Sequence, residues 1–140
     1  GDILLTVSGA ISQTNADETA VFDVDMLRAM DVQTVTTTTI WTEGEQVFEG
    51  VPLKRVLDEL GATGSVVLAS AINDYTVEIP VESLTDTAPI VAFSQNGNDM
   101  SRRQKGPLWI VYPYDSDPEF RSEIVYSRSI WQLDRLEIAQ

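Results

Sequence analysis

The chain has 140 residues, 43% of them hydrophobic, a net charge of −13, and neither cysteine nor histidine. That length fits one domain with a real core, and the two missing residue types exclude disulfides, thiol nucleophiles, Ser-His-Asp or Cys-His triads and the commonest transition-metal ligands. The acidic balance argues against nucleic acid and anionic membrane surfaces, and no apolar run approaches the ~18 residues of a membrane-spanning helix.

Residues 3–7 are β-rich and predict a first strand. Residues 8–18 are polar and hold Gly9, Asn15 and Asp17, which suits a loop or hairpin. Asp23 then stands as N-cap of a short helix, with Asp25 favourable in its first turn and Leu27 and Met30 on one face. Residues 32–40 predict a strand, because Thr36 to Thr39 are β-branched and stiff at χ1. Residues 42–45 read as a turn.

The strongest helix signal follows Gly50-Val51-Pro52-Leu53. Pro52 suits the first helical position, where its missing N–H is no loss. Leu53, Val56, Leu57 and Leu60 make one apolar stripe, and Gly61 supplies a left-handed stop. Residues 65–70 and 75–79 predict two strands around an Ile72-Asn73-Asp74 turn. Residues 81–84 suit a single helical turn. Residues 89–93 predict a buried strand before the Asn96-Gly97 turn, and residues 107–112 another. Residues 115–119 form a polar loop, and residues 124–126 and 131–138 read as extended. No repeat or linker interrupts the chain, so residues 1–140 are one domain. Many short strands with two clear helices define an α+β class with mixed β-sheets.

An ordered set of segments carries a family resemblance. It comprises Trp41, then Phe48-Glu49-Gly50-Val51-Pro52-Leu53-Lys54-Arg55-Val56-Leu57, Ala71-Ile72-Asn73-Asp74-Tyr75 and Ile79-Pro80. It continues with Asn96-Gly97, Gly106-Pro107-Leu108-Trp109-Ile110-Val111-Tyr112-Pro113 and Ile130-Trp131-Gln132-Leu133. Together, over residues 3–138, these resemble the molybdopterin-binding domain of the sulfite oxidase family, in particular its small bacterial pterin-binding relatives. The resemblance implies an α+β fold of mixed β-sheets with a few short helices. In active members a pterin dithiolene and one protein cysteine bind molybdenum. The corresponding region here is Thr36-Thr37-Thr38-Thr39-Ile40-Trp41, and a threonine hydroxyl cannot replace a soft thiolate. Histidine, also used around the cofactor in active members, is missing too. Trp109 stands where many larger members carry arginine.

The resemblance therefore implies a non-catalytic relative with no catalytic residue and no metal ligand, holding at most a pterin without molybdenum. Exported relatives imply a periplasmic location after loss of a leader. Arg102, Arg103 and Lys105 form a cationic loop that either holds an anion or is simply solvated. Asn73, Asp74 and Tyr75 either line a pocket rim or form an ordinary turn. Trp41 and Tyr112, with Trp109, Tyr114 and Trp131, either stack on a flat heterocycle or, as large aromatics in a chain this size more often do, pack in the core; Thr38 is the remaining lining candidate. Asp115, Asp117 and Glu119 lack a calcium-loop pattern and read as a plain acidic loop. The expected partner is a pterin-like or other anionic small molecule. The alternative is an acidic protein-interaction or sensory accessory domain whose former cofactor cleft is closed.

Overall fold

A computed structural model describes residues 1–140. The chain builds two five-stranded sheets over one continuous hydrophobic core. The first sheet contains β1 (Leu5–Gly9), β2 (Ala20–Phe22), β5 (Val66–Ala71), β6 (Thr76–Pro80) and β10 (Leu133–Ala139), in the order β2-β1-β10-β5-β6. Only β1 and β10 pair in parallel. The second sheet runs β3 (Gln33–Thr37), β4 (Gln46–Pro52), β7 (Ile90–Gln95) and β8 (Asn98–Asp99), with β9 (Trp109–Val111) also on β7. Three short helices complete the domain: α1 (Val24–Arg28), α2 (Leu53–Glu59) and α3 (Glu123–Arg128).

Local signals explain much of this. In β5, Val67, Ala69 and Ala71 are buried while the residues between them are not, as a strand with one face on the core requires. β7 is buried along nearly its whole length because both its edges are paired. Asp23 caps α1 by accepting a 2.9 Å bond from the Met26 N–H, and this bond holds the Asp23 carboxyl below its ordinary pKa. Leu53, Val56 and Leu57 of α2, with Leu60 just beyond, enter the core. Gly61 takes φ 62°, the left-handed conformation expected of a helix stop.

Several expectations are corrected. Pro52 is the N-cap of α2 rather than its first residue, since it also closes β4 opposite Ile90. The predicted strand over residues 32–40 stops at Thr37. Beyond it, the Asp115 carboxylate captures the Thr38 N–H and hydroxyl, each at 2.7 Å. Residues 124–126 are helical rather than extended. Ser122 caps α3 by accepting from the Val125 N–H, with Glu123 in the first turn and Arg128 in the last, and capping outweighs the β-propensity of Ile124, Val125 and Tyr126. β2 and β4 lie in stretches that carry no clear strand pattern. Residues 115–119 fold into two single 3-10 turns, Tyr114–Ser116 and Pro118–Phe120.

The Asp115 tie has a pH signature. Its carboxyl is held below the ordinary value, first by the Thr38 hydroxyl and then by the Thr38 N–H. A depressed folded-state pKa contributes stability that is present above the unfolded value of about 3.9 and lost as pH falls through the folded value. Asp115→Asn should therefore lower the urea midpoint near neutral pH. The gap to the parent should close as pH falls below about 4. A gap that stays constant across that range would mean the carboxylate charge contributes nothing.

Candidate functional site

At the Ala71 end of β5 the chain must turn back into β6. Asp74 takes φ 70° to make the turn, and Asn73 accepts a bond from the Tyr75 N–H at 3.1 Å. Arg135 on β10 clamps the hairpin from outside. Its guanidinium donates to the Ala71 carbonyl at 2.7 Å and to the Asp74 carboxylate at 2.6 Å. Asn73 and Tyr75 are thereby fixed as one wall of a cleft of about 300 Å³.

The opposite wall is the end of α3 and the segment after it. Tyr126, Ser127, Ile130, Trp131 and Gln132 line it. Ser129 anchors this wall from beneath: its hydroxyl bonds Tyr114 at 2.7 Å and the Val125 carbonyl at 2.9 Å. Its carbonyl accepts the Trp109 indole N–H at 3.2 Å.

Trp41 completes the lining. It packs edge-on against Trp131, Tyr126, Trp109 and Tyr114, with ring centroids 5.6, 5.8, 5.9 and 6.0 Å away. Such T-shaped contacts align positive ring edges with negative faces. Trp109 itself is fully buried and meets Phe48 at 5.2 Å. The cleft is thus walled by a rigid aromatic cluster.

The cationic loop borders the same site. Gln132, at φ 53°, donates its backbone N–H to the Lys105 carbonyl at 2.9 Å. Its side-chain amide donates to the Arg102 carbonyl at 2.6 Å. A Cβ at Gly106 would collide with the Met100 carbonyl, so only glycine lets the loop close there. Lys105 places its ammonium 4.9 Å from the Trp131 ring centroid, within cation–π range. Arg102 and Arg103 are exposed and make no ion pair.

Of the residues singled out in the sequence, Trp41, Asn73 and Tyr75 line the cleft; Lys105 meets it through its ammonium on Trp131, Arg102 only through its backbone carbonyl on Gln132, and Arg103 is exposed in the same loop without lining it. Three others lie elsewhere. Asp74 points to Arg135. Thr38 is engaged by Asp115. Tyr112 is buried against Tyr114 and Phe120, with its hydroxyl unpartnered and its pKa pushed by burial up to about 12. Burial raises the Tyr114 hydroxyl too, so both phenols are neutral packing groups at ordinary pH. Sequence reading missed Tyr126, Ser127 and Ser129. The cap at Ser122 was the available signal for the helix that presents them.

The charge pattern of the cleft is informative. The chain has 22 acidic residues and only 9 Lys and Arg, yet no residue lining this cleft is acidic. A preformed aromatic cleft with a few convergent polar groups in an α+β domain has the features common to small-molecule sites. The chain belongs to the oxidoreductase molybdopterin-binding domain family, whose model matches residues 5–115. That match is shorter than the resemblance over residues 3–138 and ends before α3 and β10. No curated protein matches the chain.

The donor set does not fit the metal of such a cofactor. Amides, hydroxyls, phenols and indoles line the cleft. The chain offers no thiolate or imidazole, and no three Asp or Glu side chains cluster to hold an ion. Soft transition metals are poorly served by such groups.

Proposed function

We propose that this protein binds the organic, pterin-like part of a molybdopterin-type ligand and does no redox catalysis of its own. One observation carries the reading: an uncharged, aromatic-walled cleft stands beside a cationic loop in a chain that is otherwise strongly acidic. A flat heterocycle gains dispersion and π contact from Trp41, Trp131 and Tyr75. Asn73, Ser127 and Gln132 offer amide and hydroxyl groups to the ring edge. An anionic substituent finds the Lys105 ammonium beside Trp131, with Arg102 and Arg103 exposed in the same loop. The volume of about 300 Å³ lies at the lower bound of small-molecule sites, about 300–1,000 Å³. The alternative, a protein-interaction domain with a filled cleft, is less well supported because the cleft is open.

The test is titration with pterin-6-carboxylate, read by tryptophan emission, because Trp41 and Trp131 both line the site. Saturable quenching is expected. The double reversal Arg102→Glu, Arg103→Glu should weaken it severalfold without loss of folding, since both side chains are exposed and unpaired. Absence of quenching removes the ligand reading. Stoichiometric molybdenum in protein isolated from its native host removes the non-catalytic one.

A further inference from the structure

A second, larger cleft of about 590 Å³ lies against β2, at the edge of the first sheet opposite β6. It sits between α1, the end of α2 and residues 13–15. Its chemistry is the reverse of the aromatic cleft. The floor is aliphatic and thioether: Phe22 and Leu60 are nearly buried, Met30 is half-buried, and Met26 is 39% exposed. Methionine is unbranched and polarizable, so such a floor adapts to more than one apolar shape.

The rim is negative. Asp58 and Glu59 line it, and no lining residue is basic. Both occupy the last turn of α2, which contains no basic residue. Carboxylates in the last turn of a helix oppose its dipole; the carbonyls of Val56, Leu57, Asp58 and Leu60 are already taken by N–H groups, so the negative potential of this rim comes from the two carboxylates. Asp58 is in no contact ion pair, though it attracts Lys54 one turn away, and the partner of Glu59 is the half-buried Arg55, also one turn away, at 2.7 Å. A surface pair of that kind is readily exchanged for another. The arrangement works against the stability of α2 and is complementary to a cation beside an apolar group.

We propose that this cleft docks a basic amphipathic polypeptide segment, its apolar side chain on Met26, Met30 and Phe22 and its lysine or arginine on Asp58 and the end of α2. A second copy of this chain fits poorly, because it would bring another acidic rim and a net charge of −13. The surface is separate from the aromatic cleft and does not depend on its ligand.

The chain has three methionines, so methyl-labelled methionine reports the site directly, with Met100 as an internal reference. The probe is a short peptide of leucine and lysine in amphipathic order, with a leucine–glutamate peptide as control. Saturable shifts of the Met26 and Met30 methyls with the lysine peptide alone are expected, Met100 staying fixed. Asp58→Lys should weaken binding by about tenfold, as loss of a close charge pair does. Asp58 is exposed and opposes its own helix dipole, while it also attracts Lys54 one turn away, so this variant should stay folded with only a small change in melting temperature. Met26→Gln, at an exposed position, should also weaken binding. Equal affinity of Asp58→Lys and the parent would overturn the proposal in favour of diffuse attraction to an acidic surface. Concentration-dependent Met26 shifts without peptide would overturn it in favour of self-association. Shifts at Met100 alone would place the peptide elsewhere.

Discussion

Trp109→Ala should lower stability by about 3–5 kcal/mol, the usual cost of emptying a buried tryptophan site. Trp109 is fully buried, on β9 of the second sheet against the segment that follows α3. It pairs with Ala92 on β7 and bridges to Trp131. Its ring meets Phe48, Trp41 and Trp131, and its indole N–H satisfies the Ser129 carbonyl. Truncation removes the ring contacts and strands that carbonyl at the end of α3. Against a total stability of about 5–15 kcal/mol this is a large fraction. With a urea slope of about 2 kcal/mol per molar, the midpoint should fall by about 2 M. Trp109→Phe keeps most of the ring but drops the hydrogen bond, and should cost about 1–2 kcal/mol. Equal losses for the two variants would mean that the N–H bond, rather than ring packing, holds the two walls together.

Trp41→Ala should weaken pterin-6-carboxylate binding by roughly 5- to 150-fold, the equivalent of about 1–3 kcal/mol for one aromatic stack on a heterocycle. Trp41 is half-buried and already makes four edge contacts, so its orientation is fixed before any ligand arrives. Preorganisation of that kind reduces the entropy lost on binding. The substitution will also cost stability, so affinity is compared at a temperature where both proteins are folded. Trp41→Phe separates the two effects. It retains a ring for stacking and should recover much of the affinity while remaining less stable than the parent. An affinity unchanged in Trp41→Ala would move the ligand away from this cleft.

The two clefts together change how the acidic composition is understood. A net charge of −13 describes the whole surface but neither site. One cleft excludes carboxylates from its lining and has cations at its rim, while the other has carboxylates and no cation. If both proposals hold, one domain presents an anion-tolerant ligand site at the β5–β6 turn and a cation-selecting docking surface beside β2, so ligand and partner are read at opposite edges of the same sheet.

Much was determined by the sequence alone, wherever the controlling interaction is short in range. The Asp23 cap, the α2 stripe, the Gly61 stop and the alternation in β5 each depend on residues within a turn or two. The ordered segments from Trp41 to Leu133 together indicated the family. The lack of cysteine and histidine limits the metal chemistry by composition alone. Tertiary structure alone decided the rest. β4 has a glycine and a proline and no strict alternation; it is a strand because β3 and β7 pair with its two edges, and at Gly50 a Cβ would strike the Val91 carbonyl. The threonine run ends as a strand at Thr37 because Asp115, distant in sequence, takes the next N–H. Tyr112 had the right chemistry for a pocket but faces the core, whereas Gln132 reaches the cleft through a left-handed backbone. The cleft itself joins position 41, the β5–β6 turn and the end of α3, and no local pattern encodes contacts that only packing can bring together.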